Sequence, residues 1–347
     1  MTHQQGIVYA TTSDGYELPI IDITHPAFAV PEDPASLASL TAQYRAAEQQ
    51  QARLPLFIRR LMMRLGARKS ELLRALVAPE QSFLGGLHTY IMKLGPANLP
   101  DRFNTPLDQR IASSPHARFV RLRLQHCAQL LADSLEPLLL HDPGAPLHFV
   151  NIGGGPAIDC INALFLLAKR QPGLLQRPIH IHVCDLDAKG TVFGANAVAA
   201  LIESDSPLNS LNITFSSKPY NWNNTGELEA LLSTITEPGA IIAASSEGAL
   251  FEYGSDEAII SNLLTLRSRA RLVVGSITSN DPIRREQIKT TRFQLVPRGL
   301  EGFRPLAEQT GYTIVRSEIT PLSDHVLLRP NSSRAQPSSL SRTTSSF

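Results

Sequence analysis

The chain has 347 residues, 43% of them hydrophobic and 18% charged, with a net charge of +1. That length holds one large domain or two smaller ones, and the near-neutral balance gives no argument for a nucleic-acid or membrane partner. Cys127, Cys160 and Cys184 are far apart and form neither a disulfide framework nor a zinc-type spacing. The first residues lack the basic and apolar segments of a secretory signal, and no run of 18 apolar residues occurs, so a cytoplasmic protein is expected.

Residues 1–35 are polar and turn-rich, with short apolar stretches at 7–9 and 18–23, and read as an arm or small hairpin. From 36 to 145 the pattern is helical. Phe57, Leu61 and Leu65, with Ile58 and Met62, recur at three and four residues and give one apolar stripe. Pro79, Pro96, Pro100, Pro106 and Pro115 cut this half into pieces, and a last helix over 117–140 leads onward. The half reads as a cap over a pocket and a candidate homodimerisation region. Between Thr41 and Ala78, eight bases (Arg45, Arg53, Arg59, Arg60, Arg64, Arg68, Lys69, Arg74) stand against Glu48 and Glu71. A solvated helix face is the plainer reading, and an anionic substrate or acidic partner the sharper one.

From 146 to 330 short Val- and Ile-rich runs alternate with helical patterns. Strands are expected at 148–152, 179–184, 212–216, 240–245 and 272–276, with helices at 157–169, 192–202, 227–235 and 256–267. Alternation of this kind requires parallel pairing with long crossovers, hence an α/β, doubly wound sheet. A short helix over 305–309, stopped at Gly311, precedes strands at 312–319 and 325–329. No helix fits between those two, so they pair as an antiparallel hairpin. The Ser/Thr-rich segment 331–347 reads as a disordered tail.

The strongest local signal is Asn151-Ile152-Gly153-Gly154-Gly155-Pro156-Ala157, a buried strand running into three glycines and a helix. Glycines permit positive φ and let a ligand approach the main chain. About 30 residues on, the second strand ends at Cys184-Asp185-Leu186-Asp187, where a carboxylate can accept from a ribose diol. These residues resemble the class I S-adenosylmethionine (SAM) dependent methyltransferase family, with Asn151 where an acid is usual and Ala157 in place of the third glycine. Five parallel strands, a helix ending in Gly-Tyr and a closing hairpin are similar to that family's Rossmann-like, seven-stranded core over about 117–330. A dinucleotide-binding domain would end in a further parallel strand.

The resemblance implies SAM as cofactor and Asn151, Gly153, Gly154, Gly155, Asp185, Leu186, Asn221 and Ser246 as its contacts. Gly153 and Gly155 would face its methionine part and Asp185 its ribose, with Asp187 the rival. The region 220–223, holding the only tryptophan, Trp222, would lie near the adenine. In the loop after the fourth strand, Glu247 is the first candidate for a polar group near the methyl donor or a base; an acid capping a turn is the plainer alternative. His88, beside Gly85 and Gly86, is a second candidate base on a lid. Asp256 and Glu257 read as acids of a helix's first turn. His180 and His182 share one strand face, but without a third ligand, and with helices expected over that face, they read as packed histidines and no metal is expected. The function implied is methyl transfer to a small molecule by in-line displacement. An NAD(P)-dependent oxidoreductase and a non-catalytic methyltransferase-like binding protein remain the alternatives.

Overall fold

The structure, a computed structural model, describes residues 3–77, 84–291 and 293–331. Pro79 and nearly all of the Ser/Thr-rich tail lie outside the described residues. The arm forms a two-stranded hairpin, β1 (Tyr9–Thr11) and β2 (Glu17–Pro19). The helical half follows as α1 (Pro34–Ala52), α2 (Leu56–Gly66), α3 (Glu71–Val77), α4 (Gly86–Lys93), α5 (Pro106–Ala112) and the 27-residue α6 (Pro115–His141). Their starts are written locally. Asp33 and Ser114 cap α1 and α6, each followed by proline at the first helical position, and Thr105 with Asp108 forms a capping box on α5.

The alternating half comprises β3 (Leu147–Ile152), α7 (Ile158–Arg170), β4 (Ile179–Cys184), α8 (Ala188–Glu203), β5 (Ile213–Lys218), α9 (Gly226–Thr234) and β6 (Ile241–Ser246). It continues through α10 (Leu250–Tyr253), α11 (Asp256–Arg267), β7 (Leu272–Thr278), α12 (Pro282–Ile288), α13 (Gly299–Gln309), β8 (Tyr312–Ile319) and β9 (Ser323–Pro330). Sheet order is β5-β4-β3-β6-β7-β9-β8; the first five strands run parallel and β9 runs antiparallel to both β7 and β8. The expected doubly wound sheet and closing hairpin are both present.

Side chains alternate across the sheet. Leu147, Phe149, Ile181 and Val274 face α6, α7 and α8, whereas Val150, Ile152, Ala244 and Val326 face α9, α11 and α13. Helix α6 packs on α7 and on β6, β7 and β9. It therefore belongs to the sheet's helical layer, as the resemblance over 117–330 implies, although the division at 145 counts it with the cap.

Three local expectations change. Helix α13 starts at Gly299, six residues before Pro305, because Phe303 and Leu306 bury against the second core and draw the preceding turn into helix. The apolar stripe of α2 is no core: Phe57, Leu61, Met62 and Leu65 are all exposed, and the buried residue of this helix is Arg59, paired with Glu286. Finally, among the described residues no helix closes over the outer part of the second sheet face. Thr214, Ser216 and Lys218 on β5 are exposed there, and His180 and His182 are half-buried.

Candidate functional site

At the carboxyl end of β3 the chain turns through three glycines into α7. Gly153 and Gly155 adopt φ of +71° and +57°, and Ala157, at the helix N-cap, is also left-handed at φ 52°. The main-chain donors of this turn are consumed internally. Gly153 N donates to Cys184 O (2.8 Å), Gly154 N to Asn151 Oδ1 (2.9 Å) and Gly155 N to Asp185 Oδ2 (2.7 Å). The first turn of α7 carries its own buried carboxyl, Asp159, which accepts from Asn151 Nδ2 at 2.9 Å. A pyrophosphate needs free N–H groups at such a helix start. Here a carboxyl already lies there.

Beside this turn lies a cavity of about 390 Å³, within the range of small-ligand sites. Gly153, Gly248 and Ala249 form its base, Asp185 and Leu186 one wall, and Tyr220, Asn221, Trp222 and Asn223 the other. Leu84 and Gly86 form its roof, and Tyr253, Ser255 and Gln294 complete the lining. Among the described residues that line it, Asp185 is the one acid, and Lys, Arg and His are absent. Asp185 also accepts from Asp187 N at 2.7 Å, and burial pushes its carboxyl above the usual range. Leu186 stands exposed in the cavity wall, an apolar surface without a protein partner there. The 220–222 segment is held from α11 by Asn262, which accepts from Tyr220 Oη (2.6 Å) and donates to Trp222 O (2.8 Å).

The roof comes from the helical half. Gly86 lies so close to Gly155 that a Cβ on either would come within 2.7–2.9 Å of the other's Cα. Asp187 fixes this contact: its carboxylate caps α8 by accepting from Lys189 N (3.0 Å) and reaches across to accept from Leu87 N (3.1 Å). Asp187 is thus occupied by structure, whereas Asp185 faces the cavity.

A second cavity of about 370 Å³ adjoins the first, with Leu84, Gly248 and Tyr253 lining both. Its walls are mostly apolar, among them Met63, Leu76, Met92, Val120, Phe293 and Leu322. One pole is polar. Gln287 donates to Glu48 (2.8 Å), contacts His116 Nδ1 (2.8 Å), and accepts from Tyr44 Oη (3.1 Å) and Arg284 (2.5 Å). Burial raises the pKa of Glu48 and lowers that of His116 to about 3, so the imidazole is neutral; Arg284 Nε is buried without a partner among the described residues.

No known protein family and no curated protein matches the sequence. Among solved structures, the chain is similar to magnesium protoporphyrin IX methyltransferase from Synechocystis PCC 6803 with bound SAH, at 15% identity over 61% of this chain and 88% of that one, with a TM-score of 0.39. It is similar also to an S-adenosylmethionine-dependent methyltransferase from Clostridium acetobutylicum ATCC 824 (7% identity, 59% of this chain and 92% of that one, TM-score 0.38). A third is the pyocyanin biosynthetic protein PhzM (12% identity, 61% of this chain and 57% of that one, TM-score 0.37). The strand arrangement itself decides the fold. Where a dinucleotide-binding domain would add a parallel strand, β9 runs antiparallel beside β7 and β8 folds back outside it. The chain has a Rossmann-like, mostly parallel seven-stranded fold closed by an antiparallel hairpin.

Within this fold the candidate residues separate into two groups. Gly153, Asp185, Leu186 and Asn221 line the first cavity. Asn151, Gly154 and Ser246 stand behind it. Asn151 ties the glycine turn to Asp159 and to Ser245 (2.9 Å each), and Ser246 Oγ donates to Ile152 O (3.0 Å) while accepting from Leu250 N (3.0 Å). Gly155 presents its side to Gly86 and its N–H to Asp185, so it shapes the turn under the roof.

Neither candidate base lines either cavity. Glu247 is buried in a seam between the two halves, bonded to Lys93 of α4 and Arg123 of α6. Burial works against its charge, yet the two cations hold its carboxyl below the usual range. A carboxylate so held is a poor proton acceptor. Arg123 also pairs with Glu252 (3.1 Å), which accepts from Ser276 Oγ (2.7 Å). His88 lies on the other side of α4, edge-on to Phe103, while Thr89 and Met92 of the same helix face the second cavity.

Tyr253, Arg123, His116 and Gln287 were not assigned a role by pattern. Tyr253 at least ends the short helix α10 that follows β6, in the segment read from sequence as a substrate loop, but the others lie on α6 and α12, whose helical periodicity carries no mark of a pocket.

Proposed function

We propose that this chain is a SAM-dependent methyltransferase acting on a largely apolar small molecule. One observation carries the reading: a cavity whose single charged lining residue, among the described residues, is Asp185, whose three turn glycines have their N–H groups bonded within the protein, and which adjoins a second, mostly apolar cavity. A cationic adenosyl ligand suits such a crevice, and a doubly charged pyrophosphate does not. The same features disfavour the oxidoreductase alternative.

In this reading Asp185 accepts from the ribose hydroxyls, Leu186 and Asn221 hold the adenine, and Gly153, Ala249 and Trp222 flank the remaining part. SAM bound there would supply a methyl group on a sulfonium, for transfer to a lone pair of the acceptor with the C–S electron pair left on sulfur. Tyr253 marks the passage between the cavities and orients the acceptor. Burial pushes its phenol up to about 12, so it stays protonated, and holds His116 down at about 3, which makes that imidazole a weak base; neither removes a proton readily at neutral pH, and Glu252 is tied up by Arg123. The residues therefore work by alignment and exclusion of water, which suits an acceptor whose reacting atom already carries an available lone pair. The Glu48–Gln287–His116–Arg284 pole receives a hydrogen-bonding or acidic group of the acceptor.

Calorimetry with S-adenosylhomocysteine and NADH tests this. The homocysteine ligand should bind and NADH should not. Asp185→Asn should weaken binding by about 10–100-fold, as expected for loss of charge-assisted hydrogen bonds of ~1.5–3 kcal/mol. Leu186→Arg, at an exposed position, should do so without lowering Tm. Binding of NADH alone overturns the proposal, and SAM binding with no turnover across a metabolite library selects the non-catalytic alternative.

A further inference from the structure

At the opposite end of the sheet from both cavities, three histidines of β3 and β4 gather on the uncovered face. His148 and His180 are register partners at the starts of these strands, with ring centroids 4.5 Å apart, and His182 lies 5.4 Å from His148. Sequence pattern shows only His180 and His182; parallel pairing adds His148, and the connection between α9 and β6 adds Glu237. One ligand atom from each of His148, His180 and Glu237 lies within 4.8 Å of the other two.

The hydrogen bonds around this group have a consistent direction. His180 Nδ1 lies 2.8 Å from Thr214 Oγ1, so a proton there donates to the hydroxyl and leaves Nε2 with its lone pair. His148 Nδ1 lies 3.1 Å from His182 Nε2, and His182 Nδ1 lies 2.9 Å from Ser216 Oγ. Protons on both Nδ1 atoms complete this chain and leave His148 Nε2 bare. That atom is buried and has no hydrogen-bond partner among the described residues; its side chain is only 3% exposed, and the Glu237 carboxylate stands 3.8 Å away, beyond hydrogen-bond reach. An orphaned buried imidazole nitrogen facing a second imidazole and a carboxylate is the preorganisation a metal site needs. Its outer hydrogen bonds would fix the ligand tautomers.

We propose that His148, His180 and Glu237 bind a divalent transition-metal ion, with zinc the leading candidate and water completing its coordination. Two imidazoles and one carboxylate suit zinc. Magnesium and calcium prefer oxygen ligands, and copper(I) prefers thiolate or thioether. The ion ties the connection before β6 to the starts of β3 and β4, far from the cofactor crevice. The site is therefore structural, and it is independent of the methyltransferase reading.

The test is calorimetric titration of the full chain with zinc chloride after chelator treatment, repeated with cobalt(II) to record its ligand-field spectrum. One equivalent should bind, and the cobalt form should show the spectrum of a nitrogen–oxygen site. His180→Asn and Glu237→Gln, at positions that are not fully buried, should each weaken binding by at least ~10-fold with unchanged circular dichroism. His182→Gln, which removes only the supporting bond, should weaken it by ~10–100-fold. Binding of S-adenosylhomocysteine should not change in any of them. Zinc that binds these variants as tightly as the native chain is an adventitious ion only, and overturns the proposal, as does an absence of binding to the native chain.

Discussion

Asp324, at the start of β9, shows how surroundings set the properties of a single residue. Its Oδ2 accepts from Leu300 N at 2.8 Å, while Oδ1 is buried without a partner among the described residues, and burial raises the carboxyl pKa from 3.8 to about 6. A group with a raised folded-state pKa contributes stability that is complete below the unfolded value, here about pH 4, and that is lost as pH rises through about 6. The native chain should accordingly lose about 3 kcal/mol more than Asp324→Asn between pH 4 and pH 8, read as the difference between their denaturant-unfolding profiles. Asn keeps an acceptor for Leu300 N and cannot ionise. At the same scale, both acids after the second strand are legible in the sequence as ribose candidates. Their separate roles depend on bonds to Gly155 and Leu87, residues 30 and 100 positions away.

Elements bring together what chain order keeps apart. Helices α4 and α6 and the loop after β6 meet at Lys93, Arg123, Glu247 and Glu252, each almost fully buried. Such a network adds little stability over an apolar replacement, but breaking it strands charge. Glu247→Gln should therefore destabilise the chain by ~3–5 kcal/mol and lower Tm by roughly 4–7 °C in a thermal melt, while leaving the pH dependence of any turnover unshifted. An unchanged Tm with an altered pH–rate profile would restore Glu247 as a base. The exposed stripe of α2 is the converse case. Periodicity announced an amphipathic helix over 57–65, and the helix formed, but which face turns inward depends on the neighbours. Here Arg59 packs against Glu286 and Thr290 of the α12 region.

Over the whole molecule, the roof of the first cavity closes on the sheet at a glycine pair. Gly86 of the roof touches Gly155 of the turn, and Asp187 clamps the contact. In Gly86→Ala the new methyl would come within 2.7 Å of the Gly155 main chain. Backbone cannot yield as a flexible side chain does, so the roof should lift and S-adenosylhomocysteine affinity should fall by ~10-fold or more in calorimetry, with native circular dichroism. Unaltered affinity would show that the roof plays no part in binding. The sequence by itself determined the parallel sheet, its closing hairpin, the glycine turn and the acid beyond it. These follow from hydrophobic period, strand length and glycine placement within a few tens of residues. Only the tertiary structure decided that Glu247 is an ion-pair partner, that the roof comes from residues 84–86, that a second cavity adjoins the first, and that His148 joins His180 and Glu237. Each of those depends on side chains meeting across strand register or between helices 50 to 250 residues apart, and local patterning does not encode which of them come into contact.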